Sequence, residues 1–332
     1  MRFQGRLPTL ATFWLVPFWI AGVSPAAQLE PGREITVTGP ILAADEISAV
    51  IVDDGLLAIA SDEDVRVQLL DLMPDGSYQA RRASIALLED GEELDLEGLA
   101  REGDRIFAVG SHSLQRRKLR SKGSADKNRE RLTRAVTHES RDRLFRFTLD
   151  RSTGDLAGPI ESINLRGILQ RDELLKPFSR IPGKENGVDI EALAAAAGKL
   201  FLGFRSPVLR SGHVPVMVLS FDRPERYELR FVDLDRLGIR GLTEVQGGFL
   251  ILAGPERSSE GAFKLFFWDG SDRTPGKKAP KGVLKSLGRV PTPKGGKAEG
   301  IAVLEETANS YEVLIVYDDT RAGHPRTFRV AK

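Results

Sequence analysis

The sequence predicts an all-β fold, a five-bladed β-propeller whose last blade is closed by a strand from the N-terminus. The first observation is a motif that returns with its surroundings intact, at Asp95-Leu96-Glu97-Gly98-Leu99-Ala100, Asp189-Ile190-Glu191-Ala192-Leu193-Ala194 and Ala298-Glu299-Gly300-Ile301-Ala302. Degenerate copies stand at Asp45-Glu46-Ile47-Ser48-Ala49 and Ile239-Arg240-Gly241-Leu242-Thr243. The second is that each copy leads through a turn into a short apolar run, and a repeat of this length in a chain of strands means stacked blades. The third is a shortage: the last unit is one strand short, and the segment Glu34–Thr38 has strand character and no unit of its own.

Taken in order, unit one reads as strands over Ile47–Val52, Leu56–Ala60, Val65–Leu70 and Tyr78–Leu87. Unit two has its first strand at the Glu97 motif, then Ile106–Gly110, Leu144–Leu149 and Ile160–Leu165. Unit three follows its motif with Leu200–Phe204, Val214–Phe221 and Tyr227–Val232, and unit four with Phe249–Ala253, Phe263–Trp268 and Val283–Val290. Unit five has only Val313–Tyr317 and Thr327–Val330 after Glu299. Placing Glu34–Thr38 on the outer edge of that blade joins the termini and covers an open edge.

The residue types agree with their places. Innermost strands converge on an axis, where Gly98, Ala100, Ala192, Ala194, Gly300 and Ala302 relieve crowding. Second strands lie between neighbours on both faces, so runs such as Leu250-Ile251-Leu252 are apolar throughout. Outer strands alternate, as in Phe145 and Phe147 against Arg146 and Thr148. The alternative is six blades, because Glu97 and Glu191 lie further apart than other neighbouring copies. The excess is, however, a charge-rich insertion at 114–143 and a Pro-containing stretch at Gly167–Gly187 with one expected helical turn.

Residues 1–26 read as an export signal, with Arg2 and Arg6 ahead of an apolar run and small residues at Ser24-Pro25-Ala26. The remainder, 27–332, is expected to be one propeller domain, monomeric and without a membrane span, in the periplasm or outside the cell. The chain has no cysteine, which excludes disulfides and thiolate metal sites. A formal net charge of +1 argues against global attraction to nucleic acid. No nucleophile elbow, zinc-binding histidine pair, phosphate loop or dinucleotide fingerprint is present.

The candidate site follows from the architecture. Glu46, Glu97, Glu191 and Glu299 are expected to ring the channel mouth, with Arg240 in the equivalent slot of blade four. Carboxylates drawn together repel unless a cation joins them or some are protonated. Oxygen-only ligands suit Ca²⁺ better than zinc. The same repetition also fits glutamates that merely fix blade spacing, and both readings stand. The insertion carries eleven Lys or Arg against four Asp or Glu. It reads as a lid that draws an anionic or phosphate-bearing ligand toward Arg205, Arg210 and Arg240, or as a solvated charged loop. It has no aromatic residue for stacking on nucleic acid. His112, expected on the rim, is a candidate general base, ligand or plain hydrogen-bonding group.

The Asp95–Ala100 motif, Gly110-Ser111-His112-Ser113 with the basic stretch after it, Asp189–Leu193, Arg205-Ser206-Pro207 and Leu252-Ala253-Gly254-Pro255 resemble the bacterial domain of unknown function 3616 family. The resemblance covers roughly Ile41 to Asp319. More distantly, the Glu-Gly-Ile/Leu blade motif is similar to the esterase-like phytase propellers, which implies calcium and phosphoester hydrolysis by analogy only. Three function classes therefore stand open: a ligand-binding propeller with a cation at its mouth, a calcium-dependent phosphoric ester hydrolase, and a non-catalytic scaffold for a component of the envelope.

Overall fold

The computed structural model describes residues 28–332 except 54, 90, 151–152, 258–260 and 278–281. The expected export signal, 1–26, lies outside the described residues. The fold is a five-bladed β-propeller, each blade a four-stranded antiparallel sheet with one added N-terminal strand on blade one. The inner strands are Ile47–Asp53, Leu96–Glu102, Asp189–Ala196, Gly238–Val245 and Lys297–Glu306. Each packs against the inner strand of the next blade, and the fifth closes on the first. Among the described residues no helix is long and apolar enough to cross a membrane.

The second strands are buried as their sequences require. Leu250, Ile251 and Leu252 of blade four, and Val313, Leu314 and Ile315 of blade five, are fully covered. Between blades three and four the rings of Phe201 and Phe249 meet at 4.4 Å, with Trp268 beside both.

Closure uses the N-terminal segment, though not as one strand. Pro31–Glu34 pairs antiparallel with Arg326–Ala331 as the outer strand of blade five. The chain then crosses over, and Val37–Thr38 runs parallel to the outer strand of blade one, Tyr78–Ala86. Upstream, Leu29 donates its backbone N–H to the Arg289 carbonyl of blade four at 2.8 Å. The segment 28–38 is thus a strap across three blades. The expected single strand Glu34–Thr38 was displaced because Ile35, which is buried, turns inward between the two pairings.

Every inner strand carries a β-bulge at the same place. The extra residue is Ser48 in blade one, Glu97 in blade two, Glu191 in blade three, Arg240 in blade four and Glu299 in blade five. A bulge leaves one residue out of the ladder and re-aims its side chain. Here all five line the axis. The next residue is small in every blade, Ala49, Gly98, Ala192, Gly241 or Gly300, and the one after it is apolar, Val50, Leu99, Leu193, Leu242 or Ile301. The small residues allow close approach: a Cβ on Gly98 would stand 2.9 Å from the backbone nitrogen of Leu193. Below the charged tier these small and apolar residues line a narrow axial space of about 10 Å³.

The insertion is more ordered than a charged loop needs to be. Gln115–Arg116 pairs with Ala135–Val136, the helix Ala125–Thr133 lies between them, and a 3-10 turn at Glu139–Asp142 returns the chain to blade two. Ser124 caps the helix by accepting from the Lys127 backbone N–H. The stretch after blade two forms the expected turn of helix at Arg166–Leu169, followed by two 3-10 turns.

Candidate functional site

The bulges explain why charged side chains meet at the mouth. Glu97, Glu191, Arg240 and Glu299 form one tier, completed by Ser48. Two residues earlier in each strand, a second tier consists of Glu46, Asp95, Asp189, Gly238 and Lys297. The ends of the second strands add Asp62, Arg205, Glu256, Asp318 and Asp319. Together with the two insertions these bound a cavity of about 860 Å³, lined among the described residues by thirteen carboxylates and nine guanidinium or ammonium groups. Such a volume suits a small molecule, and such a lining a polar one.

The expected ring of four glutamates is corrected in one position. Glu46 stands in the upper tier beside Asp318 and Asp319, and Ser48 occupies the slot equivalent to Glu97. Ser48 Oγ instead donates to the Leu96 carbonyl of the next blade. The signal for the true register was the small residue after the slot: Ala49 follows Ser48 as Gly98 follows Glu97, whereas Ile47 follows Glu46.

Charge is compensated unevenly around the ring. Arg240, 3% exposed, donates through Nη1 to Glu191 at 2.8 Å and to both oxygens of Glu299 at 2.8 and 2.9 Å, and through Nη2 to the Pro255 carbonyl at 2.7 Å. Arg205 bridges Asp189 and Glu191. Two arginines thus neutralise most of the sector formed by blades three, four and five. Lys297 holds Asp318 at 2.6 Å and Asp319 at 2.7 Å.

The sector between blades one and two has less compensation. Asp62, Asp95 and Glu97 each present a carboxylate oxygen, all within 4.8 Å of one another. Asp95 accepts from Arg141 at 2.8 Å and from Ser111. Asp62 Oδ1 is buried with no hydrogen-bond partner among the described residues. Burial, then the charges of Asp95, Asp318 and Glu63, push the Asp62 carboxyl up to about 7. Burial first, and then Glu191, Asp95, Asp62 and Glu299, raise Glu97 well above the usual carboxylate range. Glu299 is raised to about 7 by burial, against the pull of Arg240. Glu46 is raised to about 7 by burial and by its hydrogen bond to Asp318. Three carboxylate oxygens so arranged would suit a hard cation, whose charge would offset their mutual repulsion.

Two expected ligand-binding residues stand elsewhere. His112 is buried, with a left-handed backbone (φ +56°) and Nδ1 2.7 Å from the Gly110 carbonyl. Burial lowers its pKa, so it is a neutral packing residue beneath the rim and does not line the cavity. Arg210 is exposed beyond the rim, and its carbonyl accepts from Arg236. Arg205 and Arg240 do line the cavity, but their Nη groups are taken up by Asp189, Glu191, Glu299 and the Pro255 carbonyl. Arg141, 2% exposed, was not legible as a site residue, because it is one basic residue of eleven in the insertion. It is distinguished only by its partners Glu93 and Asp95.

Among solved structures, Myxococcus xanthus glutaminyl cyclase is similar at 13% identity and a TM-score of 0.47, over 92% of this chain and 97% of that one. A Phanerochaete chrysosporium exo-β-1,3-galactanase crystallised with galactose gives 10% identity and 0.46, over 91% of this chain and 63% of that one. Kuenenia stuttgartiensis hydrazine synthase gives 10% and 0.39, over 88% and 68%. No protein of curated function matches the sequence. The family described as protein of unknown function (DUF3616) matches residues 46–328, from the start of the first inner strand into the last strand of the chain, and the chain belongs to that family.

Proposed function

We propose that the protein is an exported binding propeller that takes a small polar ligand at its mouth together with a divalent cation such as Ca²⁺. The observation that carries this reading is the cavity itself: it is narrowed below where Val50, Leu99, Leu193, Leu242 and Ile301 line the axis, and its lining is almost wholly charged. Asp62, Asp95 and Glu97 would hold the cation, since Glu191 and Glu299 already share Arg240. Export rests on residues 1–26.

The test is calorimetric titration of EDTA-stripped chain lacking residues 1–26 with Ca²⁺, beside an Asp62→Asn/Glu97→Gln variant. The expected result is one cation per chain, with binding lost in the variant while its melting transition persists. A folded wild type that binds no divalent cation overturns the cation, and leaves the carboxylates as protonated spacers. Release of phosphate from an ester in the same samples would add hydrolysis to binding.

A further inference from the structure

We infer that Arg117, Lys118 and Lys184 form an anion subsite on one wall of the mouth, shaped for a phosphate-type dianion. The inference deepens the binding reading above and rests on it.

Of the nine cationic side chains lining the cavity, six are matched to carboxylates. Arg116 pairs with Glu185, Arg141 with Glu93 and Asp95, Arg205 with Asp189 and Glu191, Arg240 with Glu191 and Glu299, Arg257 with Glu256, and Lys297 with Asp318 and Asp319. Arg117, Lys118 and Lys184 line the same cavity with no carboxylate partner among the described residues. All three come from one structural unit. Arg116 Nη2 donates to Glu185 Oε2 at 2.9 Å, and the Gly183 N–H donates to the Leu114 carbonyl at 3.0 Å. These bonds clamp the first strand of the insertion hairpin to the 3-10 turn Gly183–Glu185, and so bring Arg117 and Lys184, each adjacent in sequence to a clamp residue, onto one wall.

The wall is braced from behind. Arg131 of the insertion helix donates to the Lys118 carbonyl at 3.1 Å, and Ser206 Oγ donates to the Gly187 carbonyl at 2.6 Å. Glu185, the carboxylate next to Lys184 in the turn, is already paired with Arg116. A planar guanidinium and two ammonium groups suit a group with several oxygens and two charges better than a single carboxylate, which one arginine fork would satisfy.

The experiment titrates inorganic phosphate, and separately glycerol 3-phosphate, into EDTA-treated chain at fixed ionic strength, because screening alone changes such affinities. Arg117→Ala/Lys184→Ala is compared with Arg129→Ala/Arg134→Ala, which removes the same charge from the exposed helix and its C-cap. The expected result is saturable binding weakened about tenfold or more in the first variant and unchanged in the second. Lys184→Arg is expected to retain it. A monoester that binds tighter than phosphate identifies the group as one end of a larger ligand, and equal affinities identify the free ion. Equal losses in both double variants, or no saturable binding, overturn the subsite. If Ca²⁺ still binds in that case, the cation reading survives; if neither binds, both fall.

Discussion

Arg240 Nη1 lies 2.8 and 2.9 Å from the two carboxylate oxygens of Glu299, a contact between blades four and five made inside the ring, with Glu191 of blade three 2.8 Å from the same nitrogen. One guanidinium therefore ties three blades at the axis, where the inner strands otherwise meet mostly through small and apolar residues. Removing it leaves two buried carboxylates facing each other. Breaking a buried pair from one side costs more than replacing both partners. Arg240→Met is expected to lower stability by about 3 kcal/mol, and Glu299→Gln added to it to restore part of the loss. Urea denaturation of the four-member cycle measures this. Additive effects would mean that the contact holds nothing together.

Much of this arrangement was legible in the sequence, and the reasons for the remainder are local. The five inner strands could be read because the small residue after each slot is fixed by blade contact, as Gly98 is by Leu193. The pairing of Arg240 with Glu191 and Glu299 could not, because spacing along the chain places these residues on a ring but does not say which oxygens face which nitrogen. Glu46 precedes its blade's slot by two residues, and only the small Ala49 after Ser48 marks the register there. Arg117 and Lys184 lie far apart in sequence, and only the Arg116–Glu185 clamp makes them neighbours.

The raised carboxyls set the sign of the pH dependence. Glu46 and Asp62 stand at about 7 in the fold, against ordinary values of 4.5 and 3.8. A group that holds its proton more tightly when folded stabilises the fold fully below its unfolded value. It loses that contribution as pH rises through the folded value. Without added cation the melting temperature is expected to fall as pH increases from about 5 to about 8. Asp71, held below the usual range by its hydrogen bond from Arg81, acts in the opposite sense only at lower pH. Scanning calorimetry across that range, with and without Ca²⁺, checks both halves: saturating cation should flatten the slope. A melting temperature that rises with pH in the stripped protein would contradict the buried, protonated carboxyls.

Blade spacing gives a steric prediction. A methyl on Gly98 would stand 2.9 Å from both the nitrogen and the Cβ of Leu193, atoms that cannot swing aside. On Gly241 it would stand 3.0 Å from the Cγ2 of Ile301 and 3.1 Å from the Glu299 carbonyl oxygen, contacts less tight than those at Gly98. Gly98→Ala is expected to cost about 1–3 kcal/mol, and Gly241→Ala less. Chemical denaturation of both variants orders them. The reverse order would mean that the inner strands of blades two and three shift more readily than their register suggests.

The strap makes the closure of the ring depend on the N-terminal segment as well as on blade five. Leu29 is buried with Phe263, Val290 and Phe328, and Ile35 with Ile47, Tyr78 and Leu314, so the two side chains enter the seams on either side of the last blade. Between them Arg33 N–H donates to Thr327 Oγ1 at 3.1 Å, Ile35 N–H to the Pro325 carbonyl at 2.8 Å, and Tyr78 N–H to the Thr36 carbonyl at 2.9 Å. Leu29→Ala and Ile35→Ala are each expected to cost about 2–5 kcal/mol, because each leaves a cavity between sheets that are held apart by their neighbours. Deleting 28–36 is expected to cost more than either substitution and also to bare the strand Arg326–Ala331, an edge that can pair with a second copy of the chain. Denaturation midpoints measure the first effect and size-exclusion chromatography the second. A shortened chain that keeps its midpoint and elutes unchanged would show that the three C-terminal strands close the ring unaided.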